Sequence, residues 1–178
     1  RLSGISEAME ARELVEDAIR INESALGRHG IKLVRDFQEV PPVTVDKHKV
    51  LQILINLIRN AKYALDDAGK PEKILTLAIH DGGNGRVHLQ VRDNGVGISA
   101  ENLSLIFQHG FTTKKDGHGF GLHSGANAAR EMGGKLFVQS DGPGTGATFV
   151  LELPVAAKAT VSEYGPESSP QTIGSSEA

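Results

Sequence analysis

One stretch limits the possible folds more than any other: KHKVLQILINLIRNAKYALDD, residues 47–67. At about 100° per residue, Val50, Leu51, Ile53, Leu54, Ile55, Leu57, Ile58, Ala61, Ala64 and Leu65 cover more than half of a helix's circumference. A helix this apolar must be largely buried, so the chain has to supply layers that cover it. Asp46 is a good N-cap and predicts a helix from there to about Asp67. The polar exceptions are ordered: Gln52, Asn56 and Asn60 fall four residues apart and make one narrow stripe, with Arg59 and Tyr63 beside it. A solvated strip is the plain explanation. Yet asparagine is a poor helix former, and a conflict between local propensity and position tends to mark function. Stacked amide oxygens on a rigid helix suit a hard cation such as Mg²⁺, which prefers oxygen ligands and keeps some waters plus substrate phosphates.

The covering layers can be read on either side. Before this helix, Ala11, Leu14, Val15, Ala18, Ile19, Ala25 and Leu26 keep helical spacing and predict an amphipathic helix from about Glu7 to Leu26, stopped by Gly27 or Gly30. IKLVRDF follows as a strand, ending before Pro41-Pro42. After it, ILTLAIH and RVHLQVRD alternate and are joined by DGGNG, a hairpin turn rich in residues that accept positive φ. A glycine-rich stretch with little regular pattern runs on to Gly121. A helix from about Leu122 to Met132 and the strands KLFVQS and ATFVLEL complete the ordered part. Helices interleaved with mostly antiparallel strand pairs predict an α+β layer sandwich, a mixed sheet with helices on one face.

Composition narrows the function classes. The 178 residues and 39% hydrophobic content allow one ordinary core. A formal charge of -3 leaves no basic surplus for phosphate neutralisation, so no nucleic-acid partner is expected. Without cysteine there is no disulfide frame and no thiolate zinc site, and no apolar run approaches the ~18 residues of a membrane span. A cytoplasmic protein without direct membrane contact is expected. The first residue is Arg and no signal-like segment follows, so the chain reads as a piece of something longer. Beyond Pro154 the composition turns small, polar and Pro/Gly/Ser-rich, as expected for a disordered tail or linker over 155–178.

Two motifs carry the chemistry. In RVHLQVRD, alternation puts Asp93 on the face of Val87, Leu89 and Val91, toward the core. A buried carboxylate needs a partner, and two fit: a ligand bearing an N–H donor, or the backbone amides of the following NGVGI turn. Gly95 and Gly97 let the backbone approach a flat object closely, which favours the ligand. The second motif is GHGFGL, where Gly117, Gly119 and Gly121 precede a helix whose exposed amides make an anion site. Lys114 and Lys115 stand just before it and can offset phosphate charge. No Walker-type GxxxxGK[ST] occurs, nor the signatures of ordinary protein kinases.

Taken in order, LQILINLIRNAKYAL, DNGVGI, IFQHGFTTK, GHGFGL and GTGATF resemble the five boxes of the catalytic and ATP-binding domain of bacterial sensor histidine kinases. That superfamily is shared with type II topoisomerases, the heat-shock chaperone ATPase and mismatch-repair ATPases. The likeness spans roughly Leu14 to Pro154, with 1–13 as a connector after a helical dimerisation domain. It implies a two-layer, Bergerat-type α/β sandwich in which ATP lies between a helical layer and a mobile lid. Asn60 would then coordinate Mg²⁺ bridging the phosphates, with Asn56 assisting and Tyr63 one turn further on. Asp93 would accept a hydrogen bond from the adenine amino group, with Gly95, Gly97 and Ile98 around the ring. Phe111 and Lys114 would belong to the lid, and Gly117, His118, Gly119, Gly121 and Leu122 would face the triphosphate.

Departures from the pattern refine the expectation. ATP-hydrolysing relatives carry Glu where this chain has Asn56, and an amide cannot activate water, which favours transfer to a protein. Ala147 stands where many relatives have Thr or Ser near the adenine, and Thr148 alternates to the other face. Tyr63 occupies a position that some relatives fill with Lys, and Lys62 lies one step off. The catalytic set expected is Asn56, Asn60 and Lys114, acting on Mg-ATP. None of the seven histidines sits in an acceptor setting, so the phosphoryl acceptor is expected on a separate or upstream dimerisation domain, with a response regulator downstream and the isolated domain a monomer. An ATP-hydrolysing clamp, an anti-sigma-type serine kinase and a non-catalytic nucleotide-binding module are the alternatives.

Overall fold

The computed structural model describes residues 5–111 and 120–157, with only the backbone described at Phe120. Lys114, Gly117, His118 and Gly119, and the tail beyond residue 157, lie outside the described residues. Among the described residues, seven strands and four helices follow one another as β1 (Glu7–Met9), α1 (Ala11–Arg28), β2 (Ile31–Phe37), β3 (Val43–Val45), α2 (Lys47–Asp67), β4 (Lys73–Gly83), β5 (Arg86–Asp93), α3 (Ala100–Leu103), α4 (Phe120–Glu131), β6 (Lys135–Gln139) and β7 (Ala147–Pro154).

The main sheet has the order β2-β4-β5-β7-β6. Only β2 and β4 run parallel; the other pairs are antiparallel. The β4–β5 hairpin turns where the sequence places it, with Gly83, Asn84 and Gly85 at φ 76°, 52° and 73°. Positive φ at both central residues is what a tight hairpin matched to strand twist requires. Alternation then points Leu75, Leu77, Ile79, Leu89, Leu151 and Leu153 to one face, each no more than 1% exposed. Helices α1, α2 and α4 cover that face and merge with it into one core. Val50, Leu54, Leu57, Ile58, Ala61 and Leu65 make α2 the middle of the helical layer, as its apolar circumference demands. Asp46 caps it, accepting from the amides of His48 and Lys49 at 3.1 and 3.4 Å.

One expectation is corrected at the start of the chain. Glu7–Met9, read as the beginning of the first helix, instead pairs antiparallel with β3, Met9 opposite Val43. Helix α1 begins only at Ala11, which is buried. Val43 and Val45 are fully buried, and a strand alongside satisfies their backbone, which a helix could not do. At its other end α1 stops at Arg28, with His29 as its C-cap and Gly30 following at φ 65°. At the end of the fold, the order extends past Pro154: Val155 bridges to Val43, and the Ala156 amide donates to the Pro42 carbonyl at 2.8 Å.

Candidate nucleotide site

The site is assembled from the polar stripe of α2, which the fold meets at both ends. At one end lies Asn56. Helix α4 packs against α2 so closely that a β-carbon at Gly121 would collide with the Asn56 side-chain amide. Gly125, one turn later, faces Ile53 of α2 and Leu136 of β6. The first turn of α4 is thereby set against the amide stripe, and a helix start is where backbone N–H groups attract anions. Leu122 packs against the core and orients this turn. At the other end of the stripe, the Ala64 carbonyl accepts from the Val96 amide at 3.2 Å. A β-carbon at Gly95 would sit 2.5 Å from that same carbonyl oxygen. Asn56, Asn60 and Ala64 follow at successive fours, so α4 and the loop after β5 are held about 12 Å apart along one helix face.

Asp93 ends β5 between Leu75 of β4 and Ala147 of β7, on the core face, and is 5% exposed. Its Oδ1 accepts from the Gly95 amide at 2.8 Å. The turn-capping role that the sequence allowed is therefore real. Burial pushes the Asp93 carboxyl above the ordinary carboxylate range, while the amides of Gly95 and Ala147 and the charge of Lys70 pull it back. A carboxylate has room for about four acceptor bonds, so this capping does not exhaust its capacity. Thr148 faces away, opposite Arg92 on the outer side of the sheet, which leaves Ala147 as the neighbour of the acid.

Gly95 and Gly97 have structural duties before any ligand is considered. Gly95 lets the loop touch α2, and Gly97, at φ 72°, passes directly against the Gly142 carbonyl. The loop 93–98 is bound to the loop 140–146: Gly144 donates to Val96 at 2.7 Å and Gly146 to Gly95 at 3.2 Å. Ser140 adds a hub that sequence reading missed. Its hydroxyl accepts from the Ile98 amide at 3.0 Å and donates to the Gly146 carbonyl at 2.7 Å. Lys70, also missed, donates to the carbonyls of Asn94 at 2.8 Å and Gly144 at 2.7 Å.

Asn56 and Asn60 are half-buried, and no hydrogen bond among the described residues engages either side-chain amide. Tyr63 is 40% exposed, with the Lys62 ammonium 5.0 Å from its ring centre. Phe111 is half-buried at the end of a series of turns, its amide donating to Gln108. Those turns are anchored by two contacts. Phe107 meets Phe149 edge-on at 6.5 Å, and His123 Nδ1 donates to the Phe107 carbonyl at 3.1 Å. Asn127 Nδ2 then donates to His123 Nε2 at 3.3 Å, and Arg130 holds Asn127 Oδ1, which fixes this tautomer. The His-x-x-x-Asn spacing on α4 was the available signal for this chain of bonds.

The fold is an α/β sandwich of the type found in histidine kinase catalytic domains. Residues 45–157 match the family model described as histidine kinase-, DNA gyrase B-, and HSP90-like ATPase, and the chain belongs to that family. The sensor histidine kinase ZraS of Klebsiella oxytoca is 39% identical over 113 residues, 64% of this chain and 23% of that protein. The chain therefore spans about a quarter of that curated relative's length. The catalytic domain of the histidine kinase ThkA superposes with a TM-score of 0.73 at 25% identity, covering 84% of this chain and 95% of that one. The full-length kinase ShkA, solved in complex with AMPPNP, gives 0.74 at 24% identity over 86% of this chain and 32% of its own. Among the described residues no helix is long and apolar enough to cross a membrane.

Proposed function

We propose that this chain binds Mg-ATP and delivers its γ-phosphoryl group to a histidine on a separate helical dimerisation domain. The observation that carries the reading is the two-ended contact of the α2 stripe, with a buried acid loop at Ala64 and the first turn of α4 at Asn56. Asp93 would accept from the exocyclic amine of the base, an N–H donor that guanine lacks at that position. The phosphates would lie toward Asn60, Asn56 and the first turn of α4. The resemblance adds Lys114, Gly117, His118 and Gly119 to the phosphate side.

The donor set fits a magnesium ion: side-chain amide oxygens on a rigid helix, half-buried and without a protein partner among the described residues. When bound, Mg²⁺ would neutralise phosphate charge and orient the chain of phosphates for an in-line attack. The protein's own part is positioning. Asn60 and Asn56 would hold oxygen ligands in fixed register one turn apart, and the α4 amides would stabilise charge on the terminal phosphate. No carboxylate stands at the Asn56 position to deprotonate water, so the γ-phosphoryl group is kept for an incoming imidazole.

ShkA's complex with AMPPNP and a complex of ThkA with the response regulator TrrA support a place in two-component signalling, with a response regulator receiving the phosphoryl group from the acceptor histidine. The test is transfer in trans. The chain, γ-labelled ATP, magnesium and a separately produced helical domain bearing an acceptor histidine are mixed, and acid-labile, base-stable phosphate on that domain is followed. Label on the domain supports the reading. Steady phosphate release to water with no labelled protein would replace it with an ATP-hydrolysing clamp.

A further inference from the structure

Lys70 follows Gly69 in the connection between α2 and β4, a place where a lysine is expected to be solvated. Instead it is half-buried and its ammonium donates to two carbonyls from separate loops, Asn94 at 2.8 Å and Gly144 at 2.7 Å. Charge-assisted bonds to neutral carbonyls are stronger than neutral pairs, and two from one ammonium fix its position. The loops it joins are those that frame Asp93. Asn94 directly follows the acid and is held by its own side chain, which accepts from the Ile74 amide at 2.8 Å and donates to the Glu72 carbonyl at 3.0 Å. Gly144 lies two residues before Gly146, whose α-carbon presses on the Asp93 carbonyl so tightly that a β-carbon would clash there.

We propose that Lys70 is a positioning residue of the base pocket: by clamping the Asn94 and Gly144 carbonyls it fixes the spacing of the two loops around Asp93 and keeps that carboxylate ready to accept from a base amine. The inference rests on the reading of Asp93 as the base-recognising acid. Its field also opposes the effect of burial on Asp93, so removing the charge makes Asp93 easier to protonate. A lysine that merely braced loop carbonyls would leave the pH dependence of nucleotide binding where it is.

The test compares Lys70→Met, Lys70→Arg and Asp93→Asn by titration with a non-hydrolysable ATP analogue at saturating magnesium, from acid to neutral pH. In K70M, affinity at neutral pH is expected to fall about tenfold, and the loss of binding on acidification to begin at a higher pH than in the native chain. K70R is expected to recover both. Native-like affinity and pH profile in K70M, or K70R as impaired as K70M, would overturn the proposal. Should K70M lose the fold, K70Q, which keeps a donor without charge, is read on its pH profile alone: loss of binding on acidification that begins at a higher pH supports the proposal, and a native profile overturns it. If D93N binds the analogue like the native protein, the base reading itself has failed. The clamp is then judged by amide hydrogen exchange at Gly144 and Gly146, where faster exchange in K70M supports it and unchanged exchange refutes it.

Discussion

Gly121 lies against Asn56 with no space for a side chain between them, so the first turn of α4 and the amide stripe of α2 are one surface. Replacing Gly121 by Ala separates them. Alanine is the better helix former by about 1 kcal/mol, and Asn56 can swing aside, so the variant should melt at or slightly above the native temperature. Its affinity for Mg-ATP should nevertheless drop by about tenfold or more, because the displaced amide and the α4 amides no longer share a ligand. Thermal melting and calorimetric titration of the same preparation separate the two effects.

Asp93→Asn should keep the Gly95 hydrogen bond, since a side-chain carbonyl can accept it, and lose the charge. An interaction with a charged partner contributes about 1.5–3 kcal/mol, so preference for adenine over guanine nucleotides should weaken roughly ten- to a hundredfold. Competition between ATP and GTP for a fluorescent analogue measures it.

The same substitution predicts a pH effect on stability with a definite sign. Burial raises the folded-state proton affinity of Asp93, so the native chain favours the protonated acid and this contribution is fully present below the ordinary carboxylate pKa of about 4. It is lost as pH rises through the folded-state value. Native stability relative to D93N should therefore decline from acid toward neutral pH, as urea denaturation of both proteins across that range will show. Taking the difference cancels Asp66 and Asp17, whose carboxyls are shifted the other way.

Asn60→Ala should leave the fold intact, as Asn60 is half-buried, makes no described hydrogen bond and sits in mid-helix, where alanine is preferred. What it should remove is the magnesium dependence of ATP binding. Titrations with and without magnesium should converge in this variant and stay apart in the native chain.

Asp46→Ala tests the fold rather than the site. Losing the cap of α2 should cost about 0.5–2 kcal/mol in a urea titration, with ATP affinity in the folded fraction unchanged.

Much of this architecture is written in periodicity. The apolar run from Val50 to Leu65, the alternation in β5 that turns Asp93 inward, and the Asn84-Gly85 turn each express a local rule that tertiary packing did not override. Ile31–Phe37 forms a strand that ends short of Pro41 and Pro42, as its sequence predicts. The short strands β1 and β3 left no such trace, because three residues are too few to show a period, and Ala8 and Met9 fit a helix as well as a strand. The candidate site was legible where a side chain conflicts with its surroundings: the proposal for Asn56, Asn60 and Asp93 starts from such conflicts. It was opaque where the partner is backbone. Nothing in a sequence says that Lys70 will find two carbonyls, that Ser140 will receive the Ile98 amide, or that Gly95 yields its space to the Ala64 carbonyl as much as to a ligand. Those contacts exist only once the loops have met.

Calorimetry of the native chain with a non-hydrolysable ATP analogue, in the presence and absence of magnesium, bears most directly on the pocket. Saturable binding of one nucleotide per chain is predicted, strengthened by magnesium and outcompeting the guanine analogue. No heat at millimolar magnesium, or equal heats for adenine and guanine analogues, would contradict a site built on Asp93 and the α2 amides.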